Sequence, residues 1–199
     1  MHLLLFSGFL GSGKTTLAVQ VAQAVVERGK RVAILVNEIG EAGIDNQLMR
    51  QLDLNVWELL NGCICCTLSA DLVSTLQKLD ADYAPDLVLI EPSGAADPHS
   101  VLHALPYYRG RPLESQRCVT ILDPLRLHVL IEVMTPLIHS QIQNADFILI
   151  GKSDLAQSEE LETALQIART HNPFVDVVCA DLTAGLTPEL LSQVVPWLS

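Results

Sequence analysis

The stretch GFLGSGKT, Gly8 to Thr15, constrains this chain more than any other segment of its length. It fits G-x-x-x-x-G-K-[ST] at every fixed position. It also joins an unbroken apolar run, residues 2–7, to a segment at 14–28 whose apolar residues recur at helical spacing. In a strand–turn–helix of this kind, glycines let the loop close tightly. Successive backbone N–H groups can then converge on phosphate oxygens at a helix N-terminus. Gly8, Gly11, Ser12 and Gly13 are the expected cradle for the phosphates of a nucleotide, with Thr16 a further candidate beside it. Lys14 would reach the β- and γ-phosphates, and the Thr15 hydroxyl would ligate Mg²⁺. A glycine-rich turn without a ligand is the alternative, and the strand before and helix after the motif argue against it.

The rest of the chain repeats the strand–helix alternation. RVAILV (31–36), LVLI (87–90), CVTIL (118–122), DFILI (146–150) and VDVVCA (175–180) read as buried strands. Helical patterns lie near 67–80, 98–105, 126–143, 158–170 and 187–195, and Gly29 stops the first helix. Such alternation implies an α/β, three-layer P-loop NTPase fold with a mostly parallel central sheet. With 199 residues, 49% of them hydrophobic, the chain can bury one substantial core. RGRPLESQR (109–117) is the most loop-like stretch and is too short to separate domains, so residues 1–199 are expected to form a single domain.

The formal net charge of -11 argues against non-specific nucleic-acid binding, which needs Lys and Arg to neutralise phosphates. No run is long enough to span a membrane. The opening MHLLLFSGFL has no basic leader and no small-residue cleavage site, so a cytoplasmic protein with reduced thiols is expected.

A phosphate cradle calls for a carboxylate at the end of a neighbouring strand. Glu91 in LVLIEPSG supplies one, and Gly94 follows where a backbone N–H could sense the γ-phosphate. Lys14, Glu91 and Gly94 are therefore the candidate catalytic positions. No Gln stands in the usual water-orienting place after Gly94, so intrinsic hydrolysis should be slow. Base choice falls to GKSD, Gly151 to Asp154. The Asp154 carboxylate can accept two hydrogen bonds from guanine, whereas adenine presents an acceptor at N1. The Lys152 stem would lie across the base. Gly151 stands where guanine readers of the form [NT]KxD carry Asn, which removes one base contact. GTP is favoured over ATP.

Three of the five cysteines, Cys63, Cys65 and Cys66, crowd into ELLNGCICCTL. Three thiolates suit a soft or borderline cation such as Zn²⁺, Co²⁺ or Cu(I) rather than Mg²⁺. Redox chemistry and simple burial are the alternatives. Cys118 and Cys179, each in an apolar strand, read as small buried side chains. Trp57 reads as core, and Met49 within 48–60 as part of an interaction surface. Asp97 and His99 follow the Glu91 motif; a lone exposed histidine reads as solvated, with a metal role the alternative.

VNEIGEAGID (36–45), ELLNGCICCTL (58–68), EPSGAADP (91–98) and GKSDL (151–155) succeed one another in an order that resembles the CobW-type GTPases, relatives of UreG and HypB. The resemblance covers nearly the whole chain. It implies that Glu38 is the switch-region acid near Mg²⁺ and that Glu41 lies towards a metal site made by Cys63, Cys65 and Cys66. It further implies a GTP-hydrolysing metallochaperone or metalloenzyme activator that gates delivery of zinc or cobalt by nucleotide state. Its partners would be GTP, the metal, a client metalloprotein or metal-inserting enzyme, and a second subunit if a homodimer completes the site. The rival readings are a small-molecule kinase and a nucleotide-binding module without turnover, each with a redox or structural cysteine cluster. Family members usually carry a C-terminal domain and often a His-rich tract, and neither is expected here.

The switch, 37–45, and the cysteine loop, 61–66, flank the short apolar segment LNVWELL (54–60). GTP and Mg²⁺ ordering the switch through Glu38 would move Glu41 relative to the thiols. Metal must then alter GTP affinity by the same factor that GTP alters metal affinity.

Overall fold

The structure, a computed structural model, describes residues 1–36, 55–58 and 68–198. Seven strands are present among them: β1 (His2–Ser7), β2 (Val32–Val36), β3 (Asn55–Glu58), β4 (Leu87–Glu91), β5 (Ser115–Leu122), β6 (Phe147–Ile150) and β7 (Asp176–Cys179). They form one sheet in the order β3-β2-β4-β1-β5-β6-β7, and every pairing is parallel. Helices cover both faces: α1 (Lys14–Val26), α2 (Leu68–Asp82), α3 (Pro98–Ala104), α4 (Pro124–Val133), α5 (Thr135–Gln143), α6 (Ser158–His171) and α7 (Pro188–Val194).

The two-residue period of the strands explains the layers. Leu4 and Phe6 of β1 pack with Leu17, Val21 and Val25 of α1 and with Leu190 and Val194 of α7. The intervening Leu3 and Leu5 face the other way, onto Leu72, Leu76 and Leu79 of α2 and Val101 of α3. Farther along that second face, Leu122, Ile148 and Ile150 meet α4, α5 and α6 through Leu127, Ile138, Ile142 and Ala164. A parallel sheet covered on both faces needs strands apolar throughout. That requirement is why the runs at 2–7, 32–36 and 87–90 do not alternate.

The expected strands and helices are present, with four corrections. β3 lies within LNVWELL and pairs in parallel with β2, Ile34 opposite Val56. Four residues are too few for a period to separate strand from helix. The helical pattern at 126–143 is two helices, broken at Met134 (φ -129°, ψ 36°), with Pro136 in the first turn of the second. Proline lacks the N–H that a continuous helix would need there, and it suits a first turn. β5 starts at Ser115, inside the stretch read as a loop, because Ser115 to Arg117 align with His2 to Leu4 of β1. Cys118 is buried as expected, but Cys179 is exposed, since β7 closes one edge of the sheet.

Because all seven strands run the same way, the connections after β1, β4, β5, β6 and β7 emerge at one edge. That edge is where ligands sit in open α/β sheets.

Candidate nucleotide and metal site

The loop after β1 has the backbone that its glycines allow. Gly8, Gly11 and Gly13 hold φ of 133°, 73° and 108°. A Cβ on Gly8 would collide with the Ile121 carbonyl oxygen of β5, so the loop lies flush against the neighbouring strand. Gly13 is the N-cap of α1, in the left-handed region, and no side chain caps the helix. The first-turn amides of α1 thus point out of the helix end with its partial positive charge.

Lys14 is 6% exposed and folds back over this loop, its Nζ donating to the carbonyls of Gly8 at 3.0 Å and Phe9 at 3.1 Å. Burial lowers its affinity for a proton, and the nearby Glu91 carboxylate opposes that shift. The Thr15 hydroxyl donates to Glu91 Oε1 at 2.5 Å. Burial pushes the Glu91 carboxyl above its ordinary value, while the Thr15 bond and the Lys14 charge pull it down. Its second oxygen, Oε2, is buried with no hydrogen-bond partner among the described residues, as is Ser12 Oγ.

Four of the expected positions thus meet at the ends of β1 and β4. Gly94 joins Lys14, Thr15 and Glu91 by close approach, since a Cβ there would collide with the Leu10 backbone nitrogen. From behind, Gln141 of α5, 1% exposed, donates from Nε2 to the Gly94 carbonyl at 3.4 Å. A hydroxyl and a carboxylate oxygen side by side, one carboxylate oxygen unpartnered and an ammonium close by, form a donor set that fits Mg²⁺ carrying phosphate. Thr16 is exposed on the first turn of α1.

The positions expected to read the base, Lys152 and Asp154, follow β6 at the same edge. Lys152 takes a left-handed backbone, φ 53°, and its Nζ donates to Asp123 Oδ2 at 2.7 Å. Asp123 also accepts from Arg126 Nε at 2.8 Å and caps α4 through the Leu125 amide at 3.2 Å. Arg126 Nη2 in turn donates to the Leu10 carbonyl at 2.6 Å. One carboxylate therefore links the β6 connection to the tip of the phosphate loop. The sequence reading passed over Asp123, Arg126 and Gln141. An acid and a proline ending the buried run CVTIL, at the same edge as Glu91, was the available signal for Asp123; nothing local marks Gln141.

Asp154 is exposed. Asp181 lies in the connection after β7. The Thr183 hydroxyl and amide hold the Asp181 carboxyl below its ordinary value. Gly151 is buried, and a Cβ there would lie 3.2 Å from the Ser12 carbonyl oxygen. That closeness gives a packing reason for glycine where the [NT]KxD pattern has Asn.

Glu38, Glu41, Cys63, Cys65, Cys66, Met49 and the segments 37–45 and 61–66 lie outside the described residues, and the side chain of Trp57 is likewise not described. Among the described residues, no group of three or more His, Cys, Asp or Glu side chains could hold a metal. No helix among them is long and apolar enough to cross a membrane.

The profile described as CobW/HypB/UreG, nucleotide-binding domain, matches residues 2–178. The chain belongs to this family. Curated relatives in the family include the zinc chaperone YjiA of Escherichia coli, 30% identical over 195 residues, covering 92% of this chain and 59% of YjiA. Another is the zinc-regulated GTPase metalloprotein activator 1 of Schizosaccharomyces pombe, 31% identical over 185 residues, covering 87% of this chain and 44% of the relative. The chain thus spans about half the length of these relatives. Among solved structures, hydrogenase maturation factor HypB of Archaeoglobus fulgidus superposes with a TM-score of 0.71, covering all of this chain and 91% of HypB. At 18% identity that likeness speaks for the fold alone.

Proposed function

We propose that the chain is a GTP-binding and GTP-hydrolysing metallochaperone unit. In this reading it carries a thiophilic divalent metal, zinc or cobalt, at Cys63, Cys65 and Cys66 and gates delivery by nucleotide state. The observation that carries the nucleotide half is the convergence of Lys14, Thr15, Glu91 and Gly94 on the uncapped start of α1. The metal half is supported by the C-x-C-C spacing and by relatives described as zinc chaperones and zinc-regulated activators.

The loop amides and the Lys14 ammonium would bind the β- and γ-phosphates and stabilise charge as the terminal phosphoryl leaves. Thr15 and Glu38 would hold Mg²⁺, whose charge offsets that of the phosphate oxygens. Glu91, kept close to the reacting end by Thr15, would order the attacking water or the metal's ligand sphere. The Gly94 amide would respond to the γ-phosphate and pass its presence to the connection that follows β4. Asp154 would accept from guanine N1–H and the exocyclic amine, with Lys152 anchored by Asp123 beneath it. Hydrolysis at this site should be slow, because no glutamine follows Gly94 to orient the water. Three thiolates leave a fourth position open, for Glu41, water, a client or a second subunit, and an open position permits ligand exchange.

The test has two arms. GTP and ATP affinities are compared for the wild type and Asp154→Asn, where loss of the carboxylate should cost guanine about 1–3 kcal/mol. Zn²⁺ and Co²⁺ binding is then measured anaerobically for the apo, GDP-bound and GTP-analogue-bound chain, beside a Cys65→Ala/Cys66→Ala variant. Metal affinity that needs the thiols and changes with nucleotide supports the proposal. Affinity indifferent to the double substitution removes its metal half.

A further inference from the structure

We propose that His99 and His103 form a second metal site, for a borderline divalent cation such as Zn²⁺, Ni²⁺ or Cu²⁺, on the helix that follows the Glu91–Gly94 turn. Helix α3 buries Pro98, Val101 and Ala104, and its packing on α2 leaves the opposite face to solvent. Residues 99 and 103 are four apart and so share that exposed face. Their imidazoles come together there, ring centroids 4.0 Å apart and planes inclined by 38°. Two histidines at i and i+4 on a helix is the spacing at which both can hold one cation. Neutral imidazole nitrogen suits zinc, copper and nickel.

The ring contact is made on the exposed face of α3, between i and i+4 neighbours of one helix. The molecule's other close histidine pair, His139 and His171, has centroids 3.9 Å apart, but there two half-buried side chains are pressed together where α5 and α6 approach. His99 and His103 are both exposed, and among the described residues their ring nitrogens make no hydrogen bond. Asp97 is already engaged, its Oδ1 accepting from the His99 amide at 3.0 Å and the Ser140 hydroxyl at 2.6 Å. That pair of bonds caps α3 and ties its start to α5, so the two imidazoles stand on a fixed base. Water would complete the coordination, which makes the site open and exchangeable rather than a closed structural one. Nothing in it depends on the thiols.

The test uses a chain with Cys63→Ser, Cys65→Ser and Cys66→Ser, titrated with Ni²⁺ and Zn²⁺ by calorimetry while histidine ring resonances are followed. One equivalent should bind and should shift the His99 and His103 resonances together. It should be lost in His99→Gln and in His103→Gln and retained in His139→Gln. Unchanged thermal melting of the two α3 variants, whose replaced side chains are exposed, shows that the fold is intact. The site is overturned if the thiol-free chain binds no metal, or if binding survives both α3 substitutions. Co²⁺ added to the intact chain separates this from the function proposed above. Thiolate charge-transfer absorption reports only on the cysteines, and His99→Gln should leave it untouched.

Discussion

Replacing Asp123 by alanine removes an acceptor that three groups share. Its side chain is 1% exposed and takes hydrogen bonds from Lys152 Nζ, Arg126 Nε and the Leu125 amide. Loss of the N-cap bond costs about 1 kcal/mol. Breaking a fully buried ion pair would cost more, but Lys152 and Arg126 keep 33% and 44% of their side chains exposed and can rehydrate. Their joint contribution is therefore discounted to about 1–2 kcal/mol. Asp123→Ala should destabilise the chain by about 2–3 kcal/mol, which for a domain of this size lowers Tm by about 5–10 °C. Asn caps nearly as well as Asp, so Asp123→Asn should lose only the ionic part, about half as much. Urea unfolding of both variants, with Lys152→Met and the double variant to complete a cycle, measures each share. Equal destabilisation by Asn and Ala, or a coupling to Lys152 near zero, would refute the assignment of Asp123 as an ionic hub.

Glu91→Gln separates stability from turnover. Burial raises the folded carboxyl above its unfolded value of about 4.3, so between the two values the folded chain holds a proton that the unfolded chain has lost. Stability of the ligand-free wild type relative to Glu91→Gln should then fall as pH rises through that window. At neutral pH the variant should melt at least as high as the wild type while losing GTP hydrolysis; a wild type that gains on the variant with rising pH contradicts the shift. Gln141→Leu should slow GTP hydrolysis several-fold while changing stability by no more than about 1 kcal/mol, because the lost bond to Gly94 is offset by no longer burying an unpartnered Oε1; unaltered single-turnover rates would deny Gln141 a positioning role. Burial pushes the Cys118 thiol up to about 12, so mass spectrometry after brief alkylation near pH 8 should find it unmodified in the folded chain while exposed Cys179 reacts.

What could be read from the sequence was what is local along the chain. A strand, a glycine turn and a helix within residues 2–28 carry their own signals, and the structure reproduces them closely. Glu91 and Gly94 could be placed because β4 is an apolar run ended by an acid. The link from Lys152 through Asp123 and Arg126 to Leu10 could not be placed in that way. It spans three connections, and only the strand order β1-β5-β6 makes them neighbours. Gln141 is 47 residues from Gly94 and sits in a helix that the hydrophobic pattern merged with its predecessor. Cys179 was misread because apolar neighbours along a strand do not reveal that the strand lies at a sheet edge.

The close approach of Gly94 to the phosphate loop also bears on how such a site can be tuned. Main chain meets main chain there, with no side chain between that substitution could lengthen, shorten or recharge. A side chain at position 94 would push the two loops apart. Variation in timing among sequences with this contact must enter from outside it, through groups such as Gln141, which holds the Gly94 carbonyl, and Arg126, which holds the Leu10 carbonyl.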